Sequence, residues 1–90
     1  MRVFQTPHFR KQVKKLRPNQ KADLDAAVEA IQKTPEIGEL KRGDLAWLRV
    51  YKCRIVGQLW LLGYEVDGAS TIVLHAVGSH ENFYRDLKQH

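Results

Sequence analysis

The sequence predicts an α+β fold: a four-stranded, mainly antiparallel sheet with an N-terminal helical hairpin packed on one face. Three observations carry this. Residues 1–34 hold two stretches whose apolar side chains recur at helical spacing, separated by Pro18. From Leu45 the chain turns to runs of branched and aromatic residues, interrupted at Val56-Gly57-Gln58 and at Asp67-Gly68-Ala69-Ser70. A short extended run containing Val3 and Phe4 precedes the first helix. The order β-α-α-β-β-β, closed by a short C-terminal helix, segregates helices from strands, as α+β domains do.

The elements follow in turn. Arg2 to Gln5 is extended and ends at Thr6-Pro7, a helix N-cap followed by proline at the first helical position. Phe9, Val13 and Leu16 form the apolar stripe of the first helix, with Arg10, Lys11, Lys14 and Lys15 around it. Pro18 ends that helix, and a second begins near Asn19. Leu24, Ala27, Val28 and Ile31 are its stripe, Asp23 and Asp25 lie early and Lys33 late, as the helix dipole favours, and Thr34-Pro35 terminates it. Residues 35–44 are a charged, turn-rich connection. Leu45–Ile55, Leu59–Val66 and Thr71–Val77 are the three later strands, and HENFYRDLK after Gly78-Ser79 reads as a short helix. The sheet face away from the helical hairpin is then only partly covered, which makes it a place for chemistry.

Ninety residues allow one domain, 1–90, small enough to lean on a partner for stability. With 43% hydrophobic and 28% charged residues the chain is globular, and disorder is excluded. No apolar run approaches the roughly 20 residues of a membrane span, and the N-terminus lacks a signal-peptide core, so no membrane association and a cytoplasmic location are expected. Cys53 is the single cysteine, which excludes an internal disulfide and a Cys-based zinc cluster. No phosphate-binding glycine motif or metal-ligand spacing is present, so neither a cofactor nor a metal is expected. Fifteen Lys and Arg against ten Asp and Glu leave a net charge of +5, and nucleic acid is the first candidate partner.

Charge placement is more informative than its total. Residues 1–22 carry seven basic side chains and no acid. They fit a binding surface or a solvated helix face equally well. A second basic group, Lys41, Arg42, Arg49, Lys52 and Arg54, is opposed locally only by Asp44 and falls partly on strand sequence. Strand alternation puts Lys52 and Arg54 on one side and Arg49 and Tyr51 on the other, unless a bulge intervenes. Cations on a sheet beside Trp47, Tyr51, Trp60 and Tyr64 suit phosphate contact with base stacking, although edge cations also serve to discourage aggregation. The segment Gly78 to Arg85 is the most specific feature. If it is helical from its start, His80 and Tyr84 lie one turn apart and project together. Histidine exchanges protons near neutrality and tyrosine offers a hydroxyl or a stacking surface, while a pair of these types is also common in purely structural settings. Glu65 is placed to act as a base or to salt-bridge a basic strand residue. His75 reads as a half-buried sheet histidine, and His8 and His90 as solvated residues near helix ends. A Cys53–His80 thiol pair lacks any visible orienting group.

The initial strand, the helical hairpin, Leu48-Arg49-Val50, Tyr64-Glu65-Val66 and the ending Val77-Gly78-Ser79-His80 through Tyr84 together resemble the RelE/ParE superfamily of bacterial type II toxin–antitoxin toxins. The resemblance covers essentially the whole chain and implies a RelE-like fold and a cognate acidic antitoxin. It leaves two activities open: RelE-like members are ribosome-dependent mRNA endonucleases, and ParE-like members inhibit DNA gyrase. The nuclease branch attacks the adjacent phosphate with a ribose 2′-OH, leaving a 2′,3′-cyclic phosphate and a 5′-OH. Similarity to that branch implies His80 as general acid and Tyr84 as a base-stacking or proton-transfer partner. It further implies Arg49 on the scissile phosphate, Glu65 as general base, and Lys52, Arg54, Arg85 and Tyr51 as RNA contacts. Arg10, Lys11, Lys14 and Lys15 would then supply contacts to the ribosome. The His80…Tyr84 ending favours the nuclease over the gyrase inhibitor.

Overall fold

The computed structural model describes residues 1–88, so His90 lies outside the described residues. The chain runs β1 (Arg2–Gln5), α1 (Pro7–Lys14), α2 (Pro18–Lys33), β2 (Glu39–Leu40), β3 (Arg49–Ile55), β4 (Gln58–Asp67), β5 (Thr71–Ser79) and α3 (Phe83–Lys88). Short 3-10 turns at Pro35–Ile37 and Gly43–Leu45 flank β2. The α+β class and the helical hairpin are as expected. The sheet has five strands rather than four, in the order β1-β5-β4-β3-β2. The extra strand is two residues long, pairing Glu39 with Val50 and Leu40 with Arg49. A pair that short inside a polar connection carries no alternation from which to read it. β1 runs parallel to β5, because two helices carry the chain across before the sheet is rejoined; all other pairings are antiparallel.

Local chemistry accounts for the helix starts. The Thr6 hydroxyl accepts from the Phe9 amide at 3.1 Å, and Pro7 sits where no helical donor is needed. α2 begins at Pro18 itself, with Gln20 Oε1 accepting the Arg17 amide at 2.8 Å. α1 lies against β5 and α2 against β3. Phe9, Leu24, Ala27 and Ile31 from the helices meet Ile55, Leu62, Tyr64, Ile72, Leu74 and Val77 from the sheet in the main core.

The opposite sheet face carries a smaller cluster, Leu48, Val50, Leu61, Ala76 and Phe83, with Leu45 and Tyr84 packed against it. α3 covers this middle stretch. Its Phe83 ring sits so close to the sheet that a Cβ on Gly63 would stand 2.7 Å from Phe83 Cζ, so glycine is required there. On β5 the ladder slips by one residue: Gly63 faces Ala76 while Tyr64 faces Leu74, leaving His75 as an unpaired bulge. The bulge holds the apolar Leu74 and Val77 on the helix side and releases His75 to the other.

Candidate functional site

β3 runs without a bulge, so its alternation holds: Val50, Lys52 and Arg54 face away from the helices, and Arg49, Tyr51 and Cys53 face toward them. Lys52 and Arg54 are exposed, and Arg54 Nη1 donates to the Gly57 carbonyl at 3.3 Å. Across the sheet Lys52 stands opposite Leu61 and then Gly78, and Arg54 opposite Leu59. The His80 amide donates to the Leu59 carbonyl at 3.3 Å, so His80 continues the row that begins at Arg54. With strands about 4.8 Å apart, the Arg54 and His80 backbones are separated by about 10 Å. His80 is exposed and lines a hollow with Gln58, Leu59, Ser79 and Glu81. Lys52, Arg54 and His80 thus share one end of the open face.

Other expected site residues lie elsewhere. Arg49 is on the helix side, where Nη1 donates to the Gly38 carbonyl at 2.9 Å and to the Glu36 carbonyl at 3.4 Å. Its guanidinium ties down the connection after α2 and is not grouped with Lys52 and Arg54. Tyr51 and Trp60 pack against the main core and Tyr64 is fully buried within it, so none of the three flanks the cations of the open face. The Tyr64 hydroxyl accepts from the Gly38 amide at 2.9 Å and donates to the Pro35 carbonyl, while burial raises its pKa.

Glu65 is on the open face, but at its other end. From Leu59 to Glu65 along β4 is about 20 Å, with the Phe83 contact in between, so the fold does not bring Glu65 to His80. Glu65 instead pairs with His75, Oε1 to Nε2 at 3.0 Å. The Trp47 ring meets the His75 ring edge to face, centroids 4.7 Å apart. His75 is half-buried, as expected, but its place beside Glu65 was hidden: the bulge cancels the alternation that would have set it with Val77.

His80 and Tyr84 do not share a helix. Residues 80–82 form a turn held by the Asn82 amide on the Ser79 carbonyl at 3.1 Å, and α3 starts only at Phe83. Tyr84 sits on the smaller core, its ring perpendicular to Phe83 and 5.6 Å from the Lys41 ammonium. The Tyr84 phenol raises the Lys41 pKa, burial opposes it, and Glu39 adds a lesser rise. Arg85 is exposed and donates to Asn82 Oδ1 at 2.6 Å, bracing the turn that carries His80. Arg10, Lys11 and Lys14 on α1 and Lys15 at its C-cap are all exposed, on the opposite side of the sheet from Lys52 and Arg54. Burial, aided by the charge of Asp23, pushes the Cys53 thiol up to about 11, which disfavours its thiolate. Among the described residues, no group of three or more His, Cys, Asp and Glu side chains gathers as a metal site would require.

The sequence matches the family of ParE-like toxins of type II bacterial toxin–antitoxin systems over residues 3–88. The chain belongs to that family. A search of curated proteins returns no match. Membership makes the protein a toxin and gives it a cognate antitoxin as partner. Among the described residues, basic side chains gather on the α1 face and at the Lys52–Arg54 end of the sheet, on opposite sides of it. No described helix is long and apolar enough to cross a membrane.

Proposed function

We propose that this toxin is a ribosome-dependent mRNA endonuclease. The observation that carries the reading is the row on the open face: two exposed cations, Lys52 and Arg54, across a single strand from the exposed imidazole of His80. Cleavage by 2′-OH attack builds negative charge on the phosphate and requires a proton for the departing 5′ oxygen. Lys52 and Arg54 supply the charge, and the His80 imidazole is the proton donor. Tyr84 and the Lys41 ammonium beside it continue this surface toward the middle of the face and suit stacking and phosphate contact. The basic face of α1 is a second contact surface, suited to ribosomal RNA. The antitoxin neutralises the toxin by covering basic surface with acidic side chains. The toxin acts in the cytoplasm, where translating ribosomes are.

Short induction of the toxin in growing bacteria tests the reading. Translation should halt with fragmented messages, and His80→Ala or Tyr84→Ala should restore growth while the purified variants keep the wild-type circular dichroism spectrum. Full toxicity in both variants with intact messages and inhibited supercoiling would make DNA gyrase the target instead.

A further inference from the structure

Glu65, His75 and Trp47 form a cluster that the cleavage chemistry leaves unused, on the same sheet face but at its far end. Three features make it a built site. The bulge turns His75 out of the ladder and onto the open face. The His75–Glu65 bond at 3.0 Å fixes the carboxylate through one lone pair of Oε1, leaving Oε2 and the second Oε1 lone pair to accept two neighbouring donors. Trp47 touches His75 edge to face yet keeps 43% of its surface exposed, enough for a flat partner to stack on it. Tyr84 lies between this cluster and the Lys52–Arg54–His80 end, with the Lys41 ammonium 5.6 Å from its ring. The Lys41 amide donates to the Leu48 carbonyl at 2.9 Å, immediately before Arg49 opposite Tyr64, so Lys41 borders the cluster. Aromatic surfaces and cations thus alternate along the face, which suits a single-stranded chain better than a folded partner.

The geometry points to Trp47, Glu65 and His75 as a subsite for one unpaired guanine, a few nucleotides from the scissile phosphate; this rests on the endonuclease reading. A carboxylate only accepts hydrogen bonds. Guanine presents two neighbouring N–H donors on its Watson–Crick edge. Adenine and cytosine each set an acceptor beside their amino group, and uracil flanks its single N–H with two carbonyls. The ring stacks on Trp47 while Glu65 reads that edge, the way unpaired bases are recognised in RNA. His75 is a positioning residue, holding Glu65 in place.

The test is a fluorescence titration of the Trp60→Phe protein, in which Trp47 is the sole tryptophan. The probes are hexauridylate and the same hexamer carrying one central guanine. The guanine-containing hexamer should quench Trp47 and bind about tenfold more tightly, and Glu65→Gln should abolish that difference. Equal binding of both probes, or a preference that survives Glu65→Gln, would overturn the subsite. So would emission that responds to the purified antitoxin and to neither oligonucleotide. Because the titration needs no cleavage, guanine preference in a protein that cuts no message would sink the endonuclease reading alone. Cleavage intact with no guanine preference would sink the subsite alone.

Discussion

Removing one oxygen atom from Tyr64 tests how the connection after α2 is held against the sheet. Tyr64 is fully buried, and its hydroxyl joins β4 to the chain after α2 by accepting from the Gly38 amide at 2.9 Å and donating to the Pro35 carbonyl. Gly38 is itself buried, so in Tyr64→Phe its amide has no water to turn to. An unpaired buried donor costs about 1–3 kcal/mol, and losing the bond to Pro35 adds to that. Removing the buried hydroxyl recovers part of its desolvation, which leaves an expected loss of about 2 kcal/mol. For a domain of this size that lowers Tm by about 8–16 °C. Urea denaturation followed by circular dichroism should show a lower midpoint with an unchanged slope. Arg49→Ala removes the bond to the Gly38 carbonyl from the same junction, and should lower the midpoint by a smaller amount. A Tyr64→Phe change below about 0.5 kcal/mol would refute the claim that this hydroxyl anchors the junction.

Three further outcomes are expected. Val56 holds φ of +48° in the hairpin turn before Gly57, a left-handed conformation in which a β-branched residue is strained. Val56→Asn should therefore stabilise the protein by about 1 kcal/mol, read as a higher urea midpoint. Gly63→Ala would place a methyl group 2.7 Å from Phe83 Cζ and 3.3 Å from Leu48 Cδ1, and should cost about 1–3 kcal/mol by pushing α3 outward. The Cys53 thiol, raised from 9.0 to about 11, should resist thiol reagents at pH 8. Its folded pKa lies above its unfolded one, so between these values only the unfolded state gives up the proton. Stability from this group is full below pH 9 and is lost toward pH 11. Comparing denaturation midpoints of wild type and Cys53→Ala at pH 8 and pH 10.5 isolates that loss.

The helices and long strands were legible because their burial is one-sided. Phe9, Leu24, Ala27 and Ile31 recur at helical spacing and form the helix side of the core. The alternation of β3 likewise separated Lys52 and Arg54 from Arg49 and Tyr51, since no bulge interrupts that strand. Grouping Arg49 with the other two cations ran against that alternation, and its guanidinium instead serves the carbonyls of Gly38 and Glu36. What stayed hidden is non-local or too short to leave a pattern. β2 is two residues, the bulge at His75 depends on the partner strand, and the separation of Glu65 from His80 follows from α3 packing across Gly63. The displaced start of α3 did leave a trace: Asn is a favoured N-cap and the Asn82 carbonyl accepts the Asp86 amide at 2.9 Å, while the Ser79 carbonyl and the Leu59 contact hold the turn before it.

Cleavage chemistry on a ribosome-bound message is the most direct test of the account. Purified ribosomes stalled on a defined mRNA are incubated with wild-type toxin and with Lys52→Ala, Arg54→Ala and His80→Ala, and the fragment ends are mapped. Wild type should leave 2′,3′-cyclic phosphate and 5′-OH ends, and each variant should be slower by about a hundredfold, the scale of losing one charge-stabilising or proton-transfer group. An intact message with the wild-type toxin, under conditions where the same preparation inhibits supercoiling by DNA gyrase, would contradict it.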